Sequence, residues 1–171
     1  MKKELKIEFS LDCLSQVIGG LVLVFMFFIF SDFIHKTPNL SGRWYFVNET
    51  ESTSYEKFKG LKVYYTVLLM QEGNNIYGTG EKIKDDLNGK ISSYSGSKRV
   101  RIKISGHLKN NFLTKDTLNI HYTEEGSLRP SSTLHNLIRF DDKHMSGKFY
   151  STIADSEGKV GWNREEPYQR S

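Results

Sequence analysis

The sequence predicts a mainly β protein: one amino-terminal transmembrane helix, then a compact eight-stranded antiparallel β-barrel. Three observations predict it. A single long apolar run, Val17–Phe30 (VIGGLVLVFMFFIF), lies inside nineteen residues that carry no charge between Asp12 and Asp32. From Leu40 onward the chain changes to short β-like runs separated by turn residues, with no long helical period and no βαβ spacing. Glycines recur inside those runs (Gly42, Gly78, Gly80, Gly106, Gly147, Gly161), as the bends of a closing sheet require.

The first twelve residues, MKKELKIEFSLD, mix three lysines with three acids and are too short and too charged to span a bilayer. As a helix, the uncharged stretch that follows is about 28 Å long, near the ~30 Å of a hydrocarbon core. A cleaved signal peptide has a shorter apolar region followed by small residues; here Phe28, Ile29 and Phe30 are followed by Ser31, Asp32 and Phe33. A core helix would show a polar face, and this run has none. The expected organisation is a charged segment over 1–12, a transmembrane helix over 13–34 and a soluble domain over 38–171. Lys2, Lys3 and Lys6 before the helix are balanced by Lys36, Arg43, Lys57 and Lys59 after it, so the positive-inside rule assigns no orientation.

Pro38 ends the helical stretch. The first strand is LSGRWYFVNET. After a polar loop comes LKVYYTVLLM (Leu61–Met70), β-branched and apolar enough to be buried. The turn QEGNN leads into IYGTGEKIK as a hairpin. A Ser/Gly-rich loop, Ser92–Ser97, opens RVRIKISGHLK, in which Val100, Ile102 and Ile104 alternate with Arg99, Arg101 and Lys103. TLNIHYTEEG, STLHNLIRF, HMSGKFYSTIAD and GKVGWNRE complete eight strands. Short antiparallel connections favour an up-and-down barrel, which removes edge strands, over a β-sandwich of similar strand count.

Catalytic signatures are absent. Gly78-Thr79-Gly80 lacks the third glycine of a dinucleotide fingerprint, and neither a Walker A sequence nor a G-x-S-x-G elbow occurs. His35, His107, His121, His135 and His144 have no partner at metal-ligand spacing. The acid pairs Asp85–Asp86, Glu124–Glu125 and Asp141–Asp142 sit where turns are expected. No enzyme, cofactor or metal is expected, and the lone Cys13 forms no disulfide framework.

Two features point to anionic or nucleotide partners. Between Leu87 and Lys115 lie Lys90, Lys98, Arg99, Arg101, Lys103, Lys109 and Lys115 with no carboxylate, a patch suited to phosphates or an anionic surface. Tyrosines and tryptophans are interleaved with Arg101, Arg129, Arg139 and Arg164, the mixture that holds unpaired nucleotides by stacking and phosphate contact. The last two strands are densest in such groups: Lys148, Tyr150, Ser151 and Thr152, then Trp162, Asn163 and Arg164.

Gly42-Arg43-Trp44 resembles the G-x-W opening of the lipocalin class, making the predicted barrel lipocalin-like. The whole arrangement, an apolar anchor, a break at Thr37-Pro38 and Gly42, and a barrel opening with LSGRWYF and closing with GKFYSTIADSEGKVGWNRE, resembles the transmembrane β-barrel effectors of bacterial CBASS anti-phage defence. That resemblance implies a cyclic dinucleotide ligand, a functional link to a cyclic-oligonucleotide synthase, and homo-oligomers that disrupt membrane lipids of the inner membrane. It implies no DNA or RNA polymer as partner. It places ligand contacts inside the barrel, carried here to Tyr77, Thr79, Tyr122, Tyr150, Thr152 and Arg164. Family members usually have two transmembrane helices; a single span with a cytoplasmic barrel would put the amino terminus outside. The other readings are an extracytoplasmic lipocalin-like carrier of a lipid or small apolar molecule, and a structural envelope subunit with a filled barrel.

Overall fold

Inward and outward side chains alternate along most of the strands, and eight strands join in a ring. In the computed structural model the described residues are 2–34, 37–111, 114–126 and 129–166, with side chains described outside 2–13 and 31–34. The chain forms two units, Met1–Lys36 and Thr37–Ser171.

The first unit is helix α1, Lys2–Ile34. It continues through the charged segment that the sequence set apart as 1–12. Every large apolar side chain from Leu14 to Phe30 is 51–69% exposed. Among the described residues no helix is long and apolar enough to cross a membrane. The span expected over 13–34 is therefore not shown among the described residues. His35 lies outside the described residues.

The second unit contains nine strands among the described residues: β1 (Gly42–Ser52), β2 (Leu61–Glu72), β3 (Asn75–Leu87), β4 (Lys90–Ser93), β5 (Val100–Lys109), β6 (Thr117–Glu124), β7 (Ser131–Arg139), β8 (His144–Ser151) and β9 (Ser156–Asn163). Their order is β2-β1-β9-β8-β7-β6-β5-β3-β4, and β2 also pairs with β3. That last pairing closes an eight-stranded antiparallel barrel and rules out the sandwich. The closing registers include Phe46 opposite Trp162 and Val67 opposite Gly80. β4 is additional to the eight strands expected. It folds back on β3 through Asn88 (φ 52°) and Gly89 (φ 84°), the left-handed pair typical of a two-residue hairpin.

Closure into so narrow a ring forces close backbone contact. A Cβ on Gly147 would stand 1.8 Å from the Asn136 carbonyl oxygen, and one on Gly158 would stand 2.0 Å from that of Glu49. Only glycine lets the neighbouring strand come this near.

One end of the barrel is plugged. Leu40, Trp44, Leu69, Ile76, Leu108, Leu118 and Trp162 are each 0–1% exposed. Phe46 is sandwiched between Tyr65 (centroids 4.4 Å, 15° between planes) and Trp162 (4.5 Å, 20°). The Trp44 indole N–H donates to the Leu40 carbonyl at 2.8 Å. Toward the other end the inward positions become polar: Asn48 and Thr50 on β1, Glu124 on β6, Ser131 and Thr133 on β7, and Ser156 on β9, all buried. Hydrophobic burial holds the plug together, while the polar end must satisfy its groups by hydrogen bonds.

Candidate functional site

Where the inward residues turn polar, the lumen widens into an open cup of about 200 Å³. Alternation supplies its wall. β1 presents Asn48 and Thr50; β2 presents Leu61, Val63 and Tyr65; β6 presents Tyr122 and Glu124. Lys82, Thr133, Phe149, Ser151 and Ser156 complete the circuit, with Phe58 and Ile153 from the mouth loops.

The polar groups are largely committed to one another. Tyr65 Oη donates to Glu124 Oε2 at 2.8 Å, and Asn48 Nδ2 donates to Tyr122 Oη at 2.8 Å. Thr133 Oγ1 donates to Ser151 Oγ at 2.8 Å, and Ser156 Oγ to the Ile153 carbonyl at 2.7 Å. Lys82 Nζ pairs with Asp85 Oδ2 at 2.9 Å, and Tyr94 Oη donates to the same oxygen at 2.7 Å. Among the described residues, Asn48 Oδ1 on the wall is buried with no hydrogen-bond partner.

Burial pushes the Tyr122 phenol up to about 12 and that of Tyr65 well above its ordinary value, so both rings are neutral donors at neutral pH. Deeper in, burial pushes His135 down to about 3 and keeps the imidazole neutral. Trp162 Nε1–H donates to His135 Nδ1 at 3.2 Å, which assigns the ring proton to Nε2. Among the described residues that N–H finds no hydrogen-bond acceptor, and it sits among the rings of Phe46, Tyr122 and Phe149.

Of the six residues expected inside the barrel, only Tyr122 is on the cup wall. Tyr77 and Thr79 project outward from β3, whose inward positions are Ile76, Gly78 and Gly80. Tyr150 projects outward from β8, where Phe149 points in. Thr152 is exposed just past β8, and its hydroxyl accepts from the Ser132 N–H at 3.0 Å. Arg164 lies beneath the plugged end, donating to the Ser41 and Asn39 carbonyls. The final hairpin forms, but Arg164 is seven residues along it from Tyr150's partner Glu157. At a strand's rise that is about 23 Å, so the two lie at opposite ends of the hairpin.

The basic stretch is not a bare field of cations. Arg99 pairs with Glu81 at 3.0 Å and Lys103 with Glu125 at 2.9 Å, both carboxylates lying outside the 87–115 window. Lys115 caps the Phe140 ring at 4.0 Å. Arg43, Arg101 and Lys103 with Thr79 line an outer concavity of about 580 Å³. Among the described residues no cluster of His, Cys, Asp or Glu could hold a metal ion.

Sequence reasoning missed Asn48, Tyr65, Thr133 and Glu124. Glu124 was readable: extending the buried alternation Leu118, Ile120, Tyr122 by one step reaches it, although its neighbour Glu125 makes the pair look like an ordinary turn. No family model matches the chain, and no curated protein does. Among solved structures it is similar to a redesigned β-barrel at 12% identity, covering 74% of this chain and 92% of that chain, with a TM-score of 0.49.

Proposed function

We propose that this protein is a membrane-anchored receptor for a cyclic dinucleotide, which enters the barrel base-first. The observation that carries the reading is the cup itself: an open, aromatic-walled cavity with a buried carboxylate and an unpartnered amide oxygen. Its volume suits one nucleobase and is too small for a whole cyclic dinucleotide. The rings of Tyr65, Tyr122 and Phe149 offer flat apolar contact, and the polar groups can read a base edge. The ligand's phosphates and second base then remain at the mouth, where Lys82 is the cation on the wall.

The exposed apolar helix supports the anchor. An apolar surface on every face is stable only within lipid or against other apolar surface. On this reading α1 sits in the inner membrane, the barrel is cytoplasmic, and a cyclic-oligonucleotide synthase supplies the ligand. Ligand-bound barrels gather into homo-oligomers, and their helices then disturb the lipid. No catalytic step is proposed. A carrier of apolar ligands fits less well, because covering Glu124 with hydrocarbon would desolvate its carboxylate without compensation.

Calorimetric titration of the full chain in detergent micelles against cyclic di-AMP, cyclic di-GMP and cyclic GMP-AMP tests the reading. Saturable heat with at least one of them is expected. No heat with any of the three overturns it.

A further inference from the structure

We infer that the base selected by the cup is guanine. The inference rests on the reading that the cup takes a nucleobase, and it comes from counting which hydrogen-bonding groups of the wall are already used. The wall's donors are mostly spent within the protein: Tyr65 on Glu124, Asn48 Nδ2 on Tyr122, Thr133 on Ser151 and Ser156 on the Ile153 carbonyl. Two acceptors remain, together with the hydroxyl proton of Tyr122, whose oxygen accepts from Asn48. Asn48 is 5% exposed and its Oδ1 has no partner; Glu124 is 8% exposed, and among the described residues its Oε1 receives no hydrogen bond. A carboxylate oxygen that receives no hydrogen bond within the protein is matched best by N–H, so the cup favours a ligand that offers donors to Glu124.

The bases differ sharply on this point. Guanine's Watson–Crick edge presents N1–H and the N2 amino group side by side, two adjacent donors that match the two oxygens of a carboxylate. Adenine presents one amino group beside the N1 lone pair, which would face Glu124 with like charge. Cytosine repeats that mismatch, and uracil flanks its single N–H with two carbonyls. A paired, charge-assisted contact between a carboxylate and a guanine edge is the strong kind of hydrogen bond.

The test uses the full chain in detergent micelles and compares cyclic di-GMP, cyclic di-AMP and cyclic di-IMP, whose hypoxanthine keeps N1–H and lacks the N2 amino group. Cyclic di-GMP is expected to bind about 10- to 100-fold more tightly than cyclic di-AMP, with cyclic di-IMP between them. Glu124→Gln, which retains an oxygen for Tyr65, is expected to remove most of the guanine preference. Equal or tighter binding of cyclic di-AMP overturns the guanine assignment while leaving the receptor reading intact. So does equal binding of cyclic di-IMP and cyclic di-GMP, a comparison made on the unaltered chain. Binding of none of the three overturns both.

Discussion

Arg164 lies over the face of Trp44, its guanidinium carbon 4.3 Å from the ring centroid. From that position Nη1 donates to the Ser41 carbonyl at 2.7 Å and Nη2 to the Asn39 carbonyl at 3.0 Å. The residue after the last strand thus fastens the segment leading into the first, and the sequence had offered it as a ligand contact. Arg164→Ala is expected to destabilise the barrel by roughly 2–3 kcal/mol, through loss of the ring contact and two charged hydrogen bonds. Nucleotide affinity of the folded fraction should stay unchanged. Denaturant unfolding alongside calorimetry checks both halves; a stable variant with weakened binding would return Arg164 to the site.

Gly147 and Gly161 make a matched pair. Alanine at 147 would drive its methyl into the Asn136 carbonyl, whereas nothing lies within 4 Å of a Cβ at 161. Gly147→Ala is expected to lower stability on the order of 3 kcal/mol, and Gly161→Ala to change it little. Thermal melts of the two variants read the difference directly.

The Tyr65–Glu124 bond joins β2 to β6 across the lumen. Tyr65→Phe keeps the ring that stacks on Phe46 and removes only the donor to a buried carboxylate. A loss of about 1–3 kcal/mol is expected, measured as a shift in the denaturant midpoint without a change in slope.

His135 makes acid stability measurable. Its folded pKa, near 3, lies below the ordinary 6.5, so the unfolded chain binds a proton that the folded chain refuses. The stabilising contribution is complete above about pH 6.5 and is lost as pH falls from there toward 3. Between pH 7 and 5 the natural chain should lose stability with a slope of at most about 1.4 kcal/mol per pH unit from this residue. His135→Phe should flatten that slope, as unfolding curves at pH 7, 6 and 5 would show.

Strand positions were legible because period-two alternation survives in β5 and β6, where apolar residues mark the inside, whereas in β7 Leu134 and Ile138 face outward and Ser131, Thr133 and His135 face in. In β3 the same rule gives no purchase: its inward positions include Gly78 and Gly80, so the bulky Tyr77 and Thr79 draw the eye to the outer face. Which face points inward depends on the partner strands, and those registers link residues far apart in the chain, such as Phe46 and Trp162. The cup was hidden for the same reason, since Asn48, Tyr65, Glu124 and Thr133 come from four strands and meet only on closure. β4 was readable from Asn88-Gly89, but the surrounding Ser/Gly-rich stretch suggested only a loop.

The plug also determines what light can report. Trp44 and Trp162, the chain's only tryptophans, are both fully buried with ring centroids 6.4 Å apart. Their emission therefore comes from one dry compartment and follows the folding of that compartment. A molecule lodged in the cup touches neither indole; its signal must pass through the Phe46 and His135 rings that abut Trp162. A tryptophan melt would then remain native in colour even if the mouth had already come apart, and occupancy of the cup has to be read by heat or by the tyrosines.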